Sequence, residues 1–212
     1  MANKKTGKTP KKTSARTIAL AGALAIGALF GAVYVNMGDN GNVAPDGKQA
    51  TGLAAYSVGE MITFVASAVP KDIPEIEFVT DDGTATSLDA WRGKVVLLNL
   101  WATWCGPCRK EMPTLDRLKA ELGGAEFDVV ALSVDRGGLE KPRKFLQEIK
   151  VRHLRLYNHS SGKVTSALKV IGMPTTLLIN AQGQQIGRLV GPAEWDSKDA
   201  LALIGAAIAG GK

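Results

Sequence analysis

The longest run of apolar and uncharged positions in the chain spans residues 17–35. Its 19 residues, TIALAGALAIGALFGAVYV, include no charged side chain. As a helix the run is roughly 28 Å long, at about 1.5 Å per residue, which matches the hydrocarbon core of a bilayer. The pattern therefore predicts a transmembrane signal-anchor helix. A cleaved signal peptide is the alternative, but the run is longer than a signal core and no small-x-small cleavage site follows it closely.

Residues 1–16 carry six basic and no acidic side chains, which are Lys4, Lys5, Lys8, Lys11, Lys12 and Arg16. An excess of Lys and Arg marks the cytoplasmic side of a span, so we expect a cytoplasmic tail and a domain beyond the membrane. Subtracting these six from the 26 basic residues leaves 20, against 20 acidic residues. The net charge of +6 therefore belongs to the tail and gives no reason to expect nucleic-acid binding.

Residues 36–69 separate the predicted anchor from the predicted domain. The first part, up to Thr51, is rich in Gly, Asn, Asp and Pro, a composition typical of a linker. The apolar positions of residues 53–69 predict a short helix, although Gly59 weakens it. Pro70 then interrupts the pattern, and we expect the folded domain to occupy residues 70–212.

Within that domain, strand and helix patterns alternate. The apolar run VVLLNLW, residues 95–101, is typical of a strand covered on both faces, and apolar residues at helical spacing follow between 112 and 122. Further strands are predicted at 76–79, 127–134, 153–157, 175–179 and 185–190, and further helices at 140–150, 163–170 and 201–208. This order predicts an α/β fold in which helices flank a central mixed sheet.

Cys105 and Cys108 are the only two cysteines. A structural disulfide framework uses several cysteines at longer spacing. A closed zinc site needs four ligands, and His153 and His159 would have to complete it without a second paired motif. We therefore expect no metal and no cofactor.

The two cysteines stand where the predicted strand 95–101 runs into a helix. A thiol at a helix N-terminus faces unpaired backbone N–H groups and the positive end of the helix dipole. Both favour the thiolate, which is the attacking species in disulfide exchange. Cys105 is therefore the predicted nucleophile, and Cys108, one turn further, can resolve a mixed disulfide. Gly106 and Pro107 tighten the turn between them.

Another candidate element is Pro174, in the sequence IGMPTT just before a predicted strand. Proline cannot donate a hydrogen bond to a sheet, so it belongs at a strand start. An ordinary loop proline is the alternative, and the residues alone favour a trans peptide bond.

Residues 70–210 resemble the thioredoxin superfamily. WCGPC with an isolated proline before a later core strand is similar to that superfamily, and SLDAWRGKVVLLNLWATWCGPCRKEMP narrows the resemblance to the TlpA/ResA/CcmG branch, with TlpA the most similar. The resemblance implies a thioredoxin-like fold and a redox-active disulfide between Cys105 and Cys108. It also implies that Pro174 is cis and faces that disulfide. Substrate would then contact the backbone of Met173 and the surface formed by Trp104, Gly106 and Pro107.

One departure from thioredoxin itself concerns proton transfer. Asn99 stands at the position where thioredoxin has a buried Asp, and an amide cannot accept a proton from Cys108 at neutral pH. Glu111 follows Cys108 by three residues, but on a helix we interpret it as a solvated carboxylate. The sequence therefore leaves the proton acceptor unassigned.

The resemblance implies a reductase of exported proteins, held in the bacterial inner membrane with its domain in the periplasm. The implied acceptors are copper-assembly factors of cytochrome oxidase or apocytochrome c, and the implied electron donor is a membrane thiol transporter of the CcdA or DsbD type. Oxidative folding or isomerisation stays open, because cysteine spacing does not determine redox direction. A thiol peroxidase and a copper chaperone with Met112 or Met173 as extra ligand are further alternatives.

Overall fold

A single mixed sheet of eight strands organises the part of the chain that the computed structural model describes, which is residue 1 and residues 52–210. The strands are β1 (Val65–Asp72), β2 (Glu77–Thr80), β3 (Ala85–Ser87), β4 (Val95–Trp101), β5 (Phe127–Ser133), β6 (Tyr157–Asn158), β7 (Thr175–Ile179) and β8 (Gln184–Val190). Across the sheet they lie in the order β1-β8-β7-β4-β5-β6-β2-β3.

The α-helices of the described residues alternate with these strands. They are α1 (Gly106–Leu122), α2 (Glu140–Glu148), α3 (Val164–Ala167) and α4 (Lys198–Gly210). The apolar positions that predicted α1 are buried, including Met112, Leu115 and Leu118. The predicted α/β class, with helices around a central mixed sheet, is confirmed.

Strand β4 lies in the interior of the sheet. It pairs in parallel with β5 and antiparallel with β7, and all seven of its residues are buried. Burial on both faces explains why its sequence is a continuous apolar run rather than an alternating one. The chain leaves β4 at Trp101 and enters α1 at Gly106, so the intervening loop is held at the end of a fully buried strand.

The segment before residue 70 differs from the prediction. Residues 53–69, predicted as a short helix, form two 3₁₀ turns (Gly52–Tyr56 and Gly59–Met61) and most of β1. Met61 and Phe64 are 0% and 4% exposed. Because β1 adds to the sheet beside β8, a segment predicted as linker and helix contributes core side chains and an edge strand.

Two elements are shorter than predicted, and side chain-to-backbone hydrogen bonds explain the first of them. The strand predicted at 153–157 is reduced to the two residues of β6. The backbone N–H groups of Arg152, His153 and Leu154 donate instead to the carboxylate of Asp116 on α1. Backbone N–H groups that are bonded to a helix carboxylate cannot also bond to a neighbouring strand. The strand therefore starts only at Tyr157. The helix predicted at 163–170 is the single turn α3.

The predicted cytoplasmic tail, anchor helix and linker up to Thr51 lie outside the described residues. Within residues 52–210, no helix is long and apolar enough to cross a membrane. The anchor at residues 17–35 therefore stays a prediction from the sequence.

Phe64 offers a direct test of the docked N-terminal segment. Its ring lies against Gly187 of β8, so closely that a Cβ on Gly187 would stand 2.1 Å from it. We expect Phe64→Ala to lower the free energy of unfolding by about 3–5 kcal/mol, because it leaves a cavity in the core. The neighbouring Ile62 is 68% exposed. Ile62→Ala is therefore expected to change the free energy of unfolding by less than about 0.5 kcal/mol. Equal effects in denaturant titrations would show that the segment is not docked.

Candidate active site

The loop after β4 carries the two cysteines, which are joined as a disulfide. Cys105 is the N-cap of α1, and its Sγ accepts a hydrogen bond of 3.2 Å from the backbone N–H of Cys108. That N–H belongs to the first turn of the helix, which has no partner for it within the helix. The same donor and the helix dipole would stabilise a thiolate on Cys105 once the disulfide is reduced.

The two sulfur-bearing residues differ in access. Cys105 is 6% exposed and Cys108 is 0% exposed. Gly106 and Pro107, which separate them, are exposed, and the neighbouring Trp104 is 69% exposed. A reaction partner arriving from solvent therefore meets Cys105 first, beside an apolar surface provided by Trp104.

Pro174 lies at the same end of the sheet as the disulfide. Leu100 near the end of β4 pairs with Thr175 at the start of β7, which places Pro174 next to the loop that leads to Cys105. The Met173–Pro174 peptide bond is cis, as the resemblance implied and the residues alone did not. The carbonyl of Pro174 accepts from the N–H of Gly191, at 2.9 Å. Pro174 has no N–H, so the strand begins after it without losing a sheet donor.

Glu111 is buried, contrary to the prediction from the sequence. It was predicted to be a solvated helix carboxylate, but only 2% of it is exposed. It follows Cys108 by one helical turn, so the two side chains share a face of α1, and this face is turned towards the core. Glu111 is therefore a buried carboxyl group one helical turn beyond Cys108.

Three donors surround the Glu111 carboxyl group. Asn99 on β4 donates from Nδ2 to Oε1 at 2.8 Å, while the indole N–H of Trp195 and the backbone N–H of Ala193 donate to Oε2 at 3.1 and 3.2 Å. Burial raises the pKa of Glu111 from 4.5 to about 7, and these hydrogen bonds act in the opposite direction. Since a carboxyl group with this pKa changes protonation near neutral pH, it can exchange a proton where Asn99 cannot.

Asp135, for which no role was predicted, is a buried carboxylate that anchors the loop before Cys105. Asp135, 2% exposed, accepts from the N–H and the hydroxyl of Thr103 at 2.9 and 2.6 Å. Ser133 donates a further bond to it at 2.9 Å. An acidic residue immediately after a predicted buried strand was the available signal. Asp135 ties the backbone two residues before Cys105 to the end of β5.

The copper alternative is not favoured by the arrangement. Met112, one of its candidate ligands, is 0% exposed and packs in the core on the far side of the helix turn from solvent. Met173 is half-buried beside Pro174. Met112 therefore presents no exposed thioether beside the cysteine pair.

A protein-family model described as Redoxin matches residues 66–204. The chain belongs to the Redoxin family. The match begins within β1 and includes the disulfide loop, Glu111 and the cis-proline. It therefore covers every element of the site described above.

Relatives of this redoxin include proteins named thiol–disulfide oxidoreductases. The chain is 28% identical over 123 residues to thiol-disulfide oxidoreductase ResA of Bacillus thuringiensis subsp. konkukian, covering 58% of this chain and 70% of that protein. It is 35% identical over 103 residues to ResA of Oceanobacillus iheyensis, covering 49% of this chain and 53% of that protein. A crystal structure of a thioredoxin family thiol:disulfide interchange protein from Chlorobium tepidum is 26% identical, with a TM-score of 0.55, and covers 68% of this chain and 99% of that one.

This redoxin is a thiol–disulfide oxidoreductase of the ResA type. It contains the paired cysteines that such chemistry requires, already joined as a disulfide. The thioredoxin superfamily membership expected from the WCGPC and proline motifs is confirmed.

The raised pKa of Glu111 makes the stability of the oxidised redoxin depend on pH. Between pH 4.5 and about 7 the folded state binds a proton that the unfolded state has released. This contribution is fully present below pH 4.5 and is lost as pH rises through about 7, a change of roughly 3 kcal/mol in the free energy of unfolding. Glu111→Gln should remove this slope in denaturant titrations. Glu121→Gln, on an exposed part of the same helix, should keep it, and identical slopes in both variants would refute the buried titration.

Proposed function

We propose that this redoxin is a membrane-anchored reductase of disulfides in exported proteins. The observation that carries the proposal is the order of groups along one face of α1. Cys105 lies at the N-terminal end of the helix and is the more exposed cysteine, Cys108 is fully buried, and the buried carboxyl group of Glu111 lies one turn further along the helix. This order provides a nucleophile, a resolving thiol and a proton acceptor in the sequence in which a reduction uses them.

The first half of the reaction belongs to Cys105. In the reduced protein its thiolate attacks one sulfur of a substrate disulfide. The substrate S–S bond breaks, a mixed disulfide forms between Cys105 and that sulfur, and the second substrate sulfur leaves as a thiolate that takes a proton from solvent. The N–H of Cys108 and the helix N-terminus stabilise the attacking thiolate.

The second half belongs to Cys108 and Glu111. The Glu111 carboxylate accepts the proton of the buried Cys108 thiol, and the resulting thiolate attacks Sγ of Cys105. The mixed disulfide breaks, the Cys105–Cys108 disulfide forms, and the remaining substrate sulfur leaves as a thiolate. Two electrons have passed to the substrate, and a dithiol donor must restore the reduced pair.

The location of the protein is part of the proposal. The uncharged run at residues 17–35 and the basic residues before it support an inner-membrane anchor with the redoxin domain in the periplasm. Carbonate washing should then leave the full-length protein with the membranes, while protease added outside digests the domain. A soluble mature form that begins after residue 35 would contradict the anchor.

The proposed partners follow from the compartment. An exported reductase is drained by oxidising surroundings, so it needs electrons delivered across the membrane, and a thiol transporter of the CcdA or DsbD type is the proposed donor. The proposed acceptors are proteins whose cysteines must be reduced before metal or haem is attached, either copper-assembly factors of cytochrome oxidase or apocytochrome c. Metal sites built from cysteine need the thiolate form, which gives such acceptors a reason to depend on a reductase.

Trapping the mixed disulfide identifies the acceptor. Cys108→Ser removes the resolving thiol and leaves Cys105 able to attack, so substrates should accumulate as covalent adducts in cells. The double variant Cys105→Ser/Cys108→Ser is the matched control and should trap nothing. Capture of copper-assembly proteins supports the first route and capture of apocytochromes the second. Capture of many unrelated exported proteins instead would contradict this narrow assignment and indicate a general reductase or isomerase.

A further inference from the structure

The loop between β8 and α4 contacts the active-site helix α1 through Trp195. This side chain is 1% exposed, and its indole Nε1–H donates to Oε2 of Glu111 at 3.1 Å. The two residues are 84 positions apart in the chain. Trp195 therefore donates to one oxygen of Glu111 from a much later part of the chain.

The same loop is fastened to α1 at further points. The backbone N–H of Ala193 donates to the same Oε2 at 3.2 Å. Thr114, one turn beyond Glu111, accepts from the backbone N–H of Trp195 at 3.2 Å and donates to the carbonyl of Glu111 at 2.8 Å. Both the backbone and the indole of Trp195 are therefore hydrogen-bonded to α1. These bonds keep the indole N–H directed at Glu111.

The groups that donate hydrogen bonds to the Glu111 carboxyl group are all uncharged. Within residues 52–210, none of the ion pairs includes Glu111. The elements packed around it contribute the uncharged Asn99 and Thr176 from β4 and β7, and Glu194 from the loop, whose negative charge opposes ionisation. Arg117 and Asp196, further along the helix and the loop, pair with each other. Cys108 is the titratable neighbour on the same helix face once it is reduced.

We propose that Trp195 is a positioning residue for the resolving step, holding the Glu111 carboxylate in place so that it takes the proton of Cys108 near neutral pH. This rests on the proposed function, in which Glu111 is that acceptor. A donor to a carboxylate stabilises its ionised form. Without the indole N–H, Glu111 stays protonated to higher pH, and a protonated carboxyl group cannot accept a proton from Cys108.

The resolving step can be observed separately from the first attack. Ellman's reagent, mixed with the reduced full-length protein, releases one thionitrobenzoate when Cys105 attacks and a second when Cys108 resolves the adduct. The rate of the second release, followed over pH, should rise with a midpoint set by Glu111. Trp195→Phe should move that midpoint upward by about one pH unit, which is about the effect of one hydrogen bond to a charged group. The rate of the first release should stay within about twofold.

Two further variants separate the N–H from the packing of the ring. Benzothienylalanine at position 195 keeps the bicyclic shape and replaces the N–H with sulfur, so it should reproduce the shift even if Trp195→Phe folds poorly. Trp91→Phe is the matched control, since the Trp91 indole donates to a carboxylate of Asp128 at 2.8 Å away from the disulfide. It should leave both releases unchanged.

A double-mutant cycle with Glu111→Gln decides whether Trp195 acts through Glu111. In the Glu111→Gln background, the change at position 195 should have no further effect on the second release. A shift of the same size in that background, or no shift from benzothienylalanine in the otherwise native protein, would overturn the role of Trp195 and leave the proposed reductase standing. An unchanged second release in Glu111→Gln alone would overturn both the role of Trp195 and the choice of Glu111 as proton acceptor.

Discussion

Replacing Cys105 with serine is expected to lower the rate of disulfide reduction by at least about 10³-fold, because a serine hydroxyl ionises far above neutral pH and is a weak nucleophile towards sulfur. Cys105 is the sulfur that approaches the surface and that receives the helix N–H. The measurement is reduction of a peptide disulfide by the fully reduced protein, followed as substrate thiol.

Cys108→Ser is the matched comparison for that experiment. It should attack substrate at a rate near that of the native protein and then stop at the mixed disulfide, which mass spectrometry detects at position 105. If both variants stopped before any adduct formed, or if the adduct were found on Cys108, the assignment of the nucleophile would be wrong.

Glu111→Gln is expected to slow the resolving step by about 10²-fold at pH 7, the lower end of what a positioned general base contributes. Glutamine keeps the size of the side chain, and its carbonyl oxygen can still accept the Asn99 hydrogen bond of 2.8 Å. Its amide nitrogen then faces the N–H groups of Trp195 and Ala193, so circular dichroism of the variant is the check that the fold is retained. Alkylation of Cys105 should change little, since that step needs no proton acceptor once the thiolate has formed.

The control for this variant is Glu121→Gln, an exposed glutamate on the same helix. It should resolve at the native rate. A rate for Glu111→Gln within about threefold of native would mean that the buried carboxyl group is not the proton acceptor, whatever its pKa.

Asn99 donates to the Glu111 carboxyl group without adding a charge beside it. Its amide donates both N–H groups, one to Glu111 and one to the hydroxyl of Thr176, at 2.8 and 2.9 Å. A carboxylate at position 99 would instead place a second negative charge against Glu111, and two adjacent carboxylates cannot both ionise near neutral pH. The amide at 99 and the acid at 111 are therefore complementary.

The parts of the fold that depend on local pattern could be predicted from the sequence. Strand β4 follows from one apolar run, and α1 follows from the spacing of Met112, Leu115 and Leu118. The position of Cys105 at the start of a helix follows from these two elements alone. The nature of the chemistry could also be predicted, because two cysteines at a strand-to-helix junction leave few other uses.

The parts that depend on distant partners could not be predicted. Glu111 reads locally as a helix-surface residue, and only Ala193 and Trp195, 82 and 84 positions away, make its burial possible. Strand β1 could not be predicted from the local pattern either. Its register with β8 shifts between Ala66 and Lys71, so the extra residues of the bulge break the alternation that marks a strand.

Asp116 gives a third example of the same limit. Its carboxylate accepts the N–H groups of three successive residues in the loop before β6. The alternating residues of that loop predicted a five-residue strand. However, N–H groups that such a strand would donate to a neighbouring strand are bonded to the carboxylate of Asp116 on α1. Side chain-to-backbone bonds of this kind carry no periodic signal.

The reduction potential of the Cys105–Cys108 pair tests the central claim most directly, because potential decides whether a dithiol reduces or oxidises its partners. The pair is equilibrated with glutathione buffers at pH 7, and the reduced fraction is counted by alkylation and mass. A reductase of exported proteins should have a potential near that of thioredoxin, about −270 mV, which lets it give electrons to substrate disulfides. A potential near that of the oxidant DsbA, about −120 mV, would contradict the account and show that this redoxin introduces disulfides rather than reducing them.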